Sequence, residues 1–324
     1  MKKTTIAIIV LIAIAFGFFY VCGNKAKQRV VNVNSSYGAF DCFLDVIIRE
    51  ASLLEKYVPD DVKVEHHFID SGSEKRDALI SKALDISNLP ALSIATALQN
   101  GIPMIYITYH GSGLFQLYAR DPAIKTLADL KPEHKISVSS IGTGPHTSFL
   151  IAATKDLGDT SRFKNSMIVM SNTDAINALL GGVTGVDAVV CTFPTIMAAW
   201  NSDKVHLVRD LSPEIIEYGV GTAYCTRPDY ARDNPDIIEA FLKAYDEAIS
   251  LLHNNKPECI RIMQKAYKDI DDATASRMLD YYTASIDGGA GNYDKLMDFL
   301  YKNGILEKPA AKFSDIPKYT RSGQ

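Results

Sequence analysis

The chain has 324 residues, 47% hydrophobic and 22% charged, with 34 Lys and Arg against 38 Asp and Glu for a net charge of -4. No long basic run occurs outside Lys25 to Arg29, which argues against nucleic acid as a partner, and the length accommodates two domains with real cores. The cysteines Cys42, Cys191, Cys225 and Cys259 are widely spaced without a Cys-x-x-Cys, which excludes a disulfide-stapled scaffold and leaves buried free thiols as the simplest reading.

Met1 to Thr5 carries two lysines and precedes an uncharged run from Ile6 to Gly23, the basic segment and apolar core that direct export. Residues 1–24 are therefore a signal peptide or a membrane anchor. Lipidation at Cys22 is opposed by the bulk of Phe19, Tyr20 and Val21, while cleavage after Gly23 or retention as an anchor of marginal spanning length both fit. Every route places the chain from about Asn24 onward outside the cytoplasm, in the periplasm or on the outer face of the cytoplasmic membrane.

Val31 to Asn34 alternates as a strand, Ser35-Ser36-Tyr37-Gly38 reads as a turn, and Leu44, Val46, Ile47, Ile48, Leu53 and Leu54 mark an apolar-periodic helix. A helix through Asp77 to Ile80 leads to a strand from Leu84 to Pro90, and another helix opens at Ala91. Met104 to Arg120 gives two strand-like alternations broken by Gly111-Ser112-Gly113, as expected of a chain that crosses between lobes and bends there. Ile136 to Val138 ends a short strand, Gly142-Thr143-Gly144 is a turn, and Pro145 opens a helix carrying Phe149, Leu150 and Ile151.

The loop at that last junction leaves the first N-H groups of the helix unpaired at the positive end of its dipole, where an anion or polar acceptor can be held. Ser139, Ser140, Thr143, His146 and Thr147 surround those donors with hydroxyls and an imidazole. The strand, polar loop and helix echo the design at Val31 to Leu54. Asn177 to Leu180, followed by Val186 to Pro194, likewise echoes Asp77 to Pro90, so two related lobes are expected. Tyr218 to Arg227 looks like a return crossing, and from Pro228 onward the pattern is helical.

Enzyme chemistry is not supported. No His-x-His or His-Glu-x-x-His occurs, and His66 and His67 sit side by side in a strand, where their side chains point to opposite faces. Ser139, Ser140 and His146 lack a Gly-x-Ser-x-Gly elbow and an orienting acid.

The order of these segments resembles the solute-binding proteins of nitrate, sulfonate and taurine type (NitT/TauT) ABC importers, a family that includes a thiamine-precursor-binding branch. The resemblance runs through the Ser-Ser loop, Leu84-Asp85-Ile86 ending in Pro90, Ile102-Pro103, Leu127-Ala128-Asp129-Leu130-Lys131 before Gly142-Thr143-Gly144, Asp174 to Pro194, and Asn234 to Ala244. It covers nearly all of residues 30 to 305. The resemblance implies an α/β, two-lobed periplasmic binding protein type II fold with two hinge crossings; lobe 1 is expected at 30–117 plus 221–324, and lobe 2 at 118–220.

It further implies ligand contacts at Ser35, Ser36, Tyr37, Ser87, Asn88, Thr143, His146 and Thr147, with Cys191, Thr192 and Phe193 as the remaining wall. None of these loops contains Asp, Glu, Lys or Arg, so recognition is expected to rest on hydroxyls, amides and helix N-termini, while Tyr37, Phe40, Phe115, His146 and Phe193 offer ring faces. The expected ligand is a small organic anion or neutral heterocycle (a sulfonate, carboxylate or heteroaromatic), delivered by a monomer to a membrane permease and its ATPase without cofactor, metal or catalysis. Yeast-type pyrimidine synthesis on a related fold uses a His and clustered cysteines, and no such cluster stands here. A membrane-tethered sensor domain is the first alternative; it would carry a cytoplasmic output region, and only Met1 to Thr5 precedes the apolar run. A pyrimidine-precursor-binding protein is the second.

Overall fold

Alternating Val31 and Val33 face inward from the first strand, and the periodic Phe43, Leu44 and Ile47 turn one helical stripe toward them, which seeds the first core. A computed structural model describes residues 28–35, 43–69, 72–219, 221–267, 270–288 and 292–321. The leader with Cys22, and Ser36, Tyr37, Phe40 and Cys42, lie outside the described residues.

The chain begins with β1 (Arg29–Asn34), α1 (Phe43–Glu50), α2 (Leu53–Tyr57), β2 (Val62–His67), α3 (Gly72–Ile80), β3 (Ile86–Pro90), α4 (Ala91–Gln99) and β4 (Ile105–Gly111). It continues with β5 (Phe115–Ala119), β6 (Ile136–Val138), α5 (Gly144–Leu157), β7 (Met167–Val169), α6 (Asn172–Gly181), β8 (Ala188–Thr192), α7 (Ile196–Trp200), β9 (His206–Asp210) and α8 (Ser212–Tyr218). It closes with β10 (Thr222–Thr226), α9 (Pro228–Asp233), α10 (Pro235–Asn254), α11 (Lys256–Ala266), α12 (Asp272–Gly288) and α13 (Tyr293–Lys302). Proline opens α5, α8, α9, α10 and α11, where its missing N-H costs nothing. Among the described residues no helix is long and apolar enough to cross a membrane.

These strands form two five-stranded mixed sheets, ordered β2-β1-β3-β10-β4 and β7-β6-β8-β5-β9. In the first, β2, β1 and β3 run parallel and β10 is antiparallel to both neighbours; in the second, β7, β6 and β8 run parallel and β5 is antiparallel to both. The two lobes thus repeat one topology, and the antiparallel member of each sheet is the strand that the crossing chain delivers. A boundary at residue 117 falls inside β5, all of which is hydrogen-bonded in the second sheet.

The two crossings lie side by side. Thr222 pairs with Gly111 across β10 and β4. Gly111 has φ +98°, in the region that favours glycine, and a Cβ on Gly221 would stand 2.5 Å from the Tyr109 hydroxyl and 2.8 Å from the Gly111 carbonyl oxygen.

Cys191, Cys225 and Cys259 are free, buried thiols. His66 and His67 diverge as expected of adjacent strand residues, toward Ser35 and Glu55 in one case and Asn32 in the other.

Candidate functional site

The carboxyl end of the first sheet carries a buried polar cluster. Asn88, on β3, is fully enclosed, and its Nδ2 donates to Asp45 Oδ2 at 2.7 Å while its Oδ1 accepts from Lys75 Nζ at 2.7 Å. Asp45 Oδ1 also accepts from the Tyr224 hydroxyl at 2.8 Å. His110 stands 3.5 Å from both Asn88 Nδ2 and Asp45 Oδ2, and its Nδ1 lies 2.7 Å from Thr222 Oγ1. Burial first, and Asp45 second, push the Tyr224 phenol well above its usual range, so it remains a donor. Four elements, α1, α3, β3 and β4, therefore converge on one amide.

Asp45 and Lys75 were not among the residues expected from sequence. Asp45 had a readable signal, a lone carboxylate in the apolar run Leu44 to Ile48. Lys75 had none: Glu74-Lys75-Arg76-Asp77 reads as a solvated face, yet Lys75 is 4% exposed. Neutral loops are thus joined by two buried charges.

Ser87, the second residue of β3, precedes Asn88, and Ser35 follows the last residue of β1; both are buried. Ser87 Oγ donates to the Asn88 carbonyl at 3.3 Å. Ser35 Oγ is 2.7 Å from His66 Nδ1, and His66 Nε2 is 3.0 Å from Glu55 Oε1. That chain has the outline of a catalytic triad, but Ser35 is enclosed, its N-H is bonded to His67 O, and its carbonyl accepts from Arg49. It ties the strand ends together.

In the second lobe, Thr143 occupies the N-cap of α5, but its hydroxyl donates to Ser140 O at 2.7 Å and no side chain caps the helix. The positive end of the helix is left to another acceptor. His146 sits under the loop, buried, with Nδ1 accepting from Gly142 N at 3.1 Å. Burial pushes its imidazole down to about 4, so the ring is neutral and its proton resides on Nε2. Thr147 follows, buried, one position along the helix.

The two loop systems meet at their rims. A Cβ on Gly142 would stand 2.7 Å from Leu92 Cδ2 and 3.5 Å from Ile305 Cγ2, so the second-lobe loop touches the first turn of α4, four residues beyond Asn88. Thr192 ends β8, buried, and its carbonyl accepts from Thr195 Oγ1. Phe193 is wholly enclosed, edge-on to Tyr267 at 4.7 Å. Phe115 is buried in the second core. Among the described residues no group of three or more His, Cys, Asp or Glu could hold a metal.

A family model described as "NMT1/THI5 like" matches residues 58–259, more than half of the chain. No curated protein matches the chain in sequence. Among solved structures, the periplasmic aliphatic sulphonate binding protein SsuA from Escherichia coli superimposes with a TM-score of 0.69 at 21% identity, over 87% of this chain and 95% of that one. The alkanesulfonate-binding protein SsuA from Xanthomonas axonopodis pv. citri, bound to MOPS, gives 0.72 at 17% identity over 91% and 100%. A conserved Candida albicans gene product, described as having the generic periplasmic binding protein fold, gives 0.64 at 16% identity over 87% and 91%.

Proposed function

Because the chain belongs to the NMT1/THI5-like family, we propose that it is the substrate-binding component of an ABC importer, exported by its N-terminal segment and delivering a small organic ligand to a membrane permease and its ATPase. The observation that carries this reading is the pairing of an uncapped α5 N-terminus in one lobe with the buried Asn88 cluster in the other, brought to contact distance at Gly142 and Leu92. A ligand between them would accept from the first N-H groups of α5 and from His146 Nε2, and meet the first lobe beside Ser87 and Asn88, whose own side chains stay enclosed. The sulfonate binders among the structural neighbours support an anionic ligand. Thr192, Ser36 and Tyr37 complete the proposed set.

A ligand that touches both lobes stabilises their closed arrangement by its differential affinity for that state. The experiment is mass spectrometry of small molecules released from the denatured, purified protein, followed by calorimetry with each released compound and with MOPS. One saturable site per chain is expected. A protein that releases nothing and binds none of a panel of sulfonates, carboxylates and heteroaromatic acids would contradict the reading.

A further inference from the structure

The Asn88 cluster and the hinge are both held by one side chain of α12. Tyr282 is fully buried; its hydroxyl donates to the carbonyl of His110 at 2.8 Å and accepts from the backbone N-H of Leu44 at 3.3 Å. His110 immediately precedes Gly111 at the crossing, and its ring lies against Asn88 and Asp45. Leu44 immediately precedes Asp45 in the first turn of α1, and Asp45 holds the Asn88 amide. One turn along α12, Ser285 Oγ accepts from Ser112 N, inside the crossing itself, at 2.6 Å.

The same helix grips the second lobe. The Tyr281 hydroxyl donates to Asp210 Oδ2 on β9 at 3.0 Å, and the Arg277 guanidinium lies 3.9 Å over the ring of Trp200, whose Nε1 donates to Gln116 Oε1 on β5. A single helix is thus pinned to the second sheet by residues 277 and 281 and to the crossing and the first lobe by residues 282 and 285.

We propose that Tyr282 is a positioning residue through which α12 couples the placement of the second lobe to the orientation of the Asn88 amide. A rotation of the second lobe carries Asp210 and Trp200 and turns α12 against the crossing. The Tyr282 hydroxyl serves two backbone groups at once, so it cannot follow one without straining its bond to the other. The Leu44 bond is the longer, and movement there shifts the first turn of α1, with Asp45, relative to β3. The consequence for ligand capture rests on the proposed role of Asn88, whereas the coupling itself needs no ligand to be tested.

The test is heteronuclear NMR on the full chain, reading the Asn88 side-chain amide and the exchange rate of the Leu44 backbone amide in Tyr281→Phe, Tyr282→Phe and the double variant. Loss of one net hydrogen bond should speed Leu44 exchange by about tenfold in Tyr282→Phe. Tyr281→Phe, altered only at the second-lobe tether, should shift the Asn88 amide in the native background and leave it unmoved in the Tyr282→Phe background. A purely structural tyrosine would lower the melting temperature while Tyr281→Phe left Asn88 unchanged. That result, or an equal shift in both backgrounds, would overturn the proposal. Should Tyr282→Phe fail to fold, the Tyr281→Phe and Arg277→Gln single variants decide it: an unmoved Asn88 amide in both refutes the coupling.

Discussion

Asn88 sits between a buried carboxylate and a buried ammonium and satisfies one with its donor and the other with its acceptor. An apolar side chain of similar size removes both bonds and leaves two charges enclosed, so Asn88→Leu should destabilise the fold by roughly 3 kcal/mol, as breaking a buried charged network does. Urea denaturation measures this, and a loss below about 1 kcal/mol would mean that the cluster relaxes into solvent. His146 makes a second residue-level prediction. Its folded pKa, about 4, lies below the unfolded value near 6.5, so between those pH values the unfolded chain binds the extra proton. Stability is therefore full above pH 6.5 and falls as the pH drops toward 4, by roughly 3 kcal/mol at most. His146→Asn keeps an acceptor for Gly142 N and should flatten that part of the acid-unfolding curve; an unchanged curve would place the titration elsewhere.

At the scale of elements, the hinge is a close approach of two backbones. Gly221→Ala would drive a Cβ into the Tyr109 hydroxyl and the Gly111 carbonyl, the second of which cannot step aside, and should cost about 1–3 kcal/mol in thermal or urea unfolding. The α5 junction gives a prediction on binding. Thr143→Ala removes the hydroxyl that holds Ser140 O and shapes the loop, and should weaken ligand binding by roughly 1–3 kcal/mol in calorimetry, with unaltered affinity removing Thr143 from the site. Strands and crossings were legible because alternation and glycine report directly on backbone geometry: Val31 and Val33 mark β1, and Gly111 marks the first crossing. Site chemistry was less legible. Lys75 is brought under the sheet ends by tertiary packing of α3, against the apparent meaning of its charged neighbours, and Phe193, expected on the ligand wall, has its ring packed against Tyr267, just past the end of α11.

At the scale of the molecule, the repeated strand order explains why the sequence echoed itself: each lobe is the same parallel unit completed by one antiparallel strand from the crossing chain. The echo between Asp77 to Pro90 and Asn177 to Pro194 corresponds to α3-β3 and α6-β8, which occupy equivalent places in the two sheets. That arrangement leaves polar loops at matching strand ends of both lobes, and the crossings as the covalent strand links about which the lobes can turn. On the proposed function, a small molecule bound between the lobes holds them closed. Small-angle X-ray scattering, on protein stripped of bound molecules and then titrated with the compound it had released, tests this most directly. The radius of gyration should fall saturably with one equivalent of ligand; an unchanged radius at saturating, calorimetrically verified occupancy would rule out closure on the ligand.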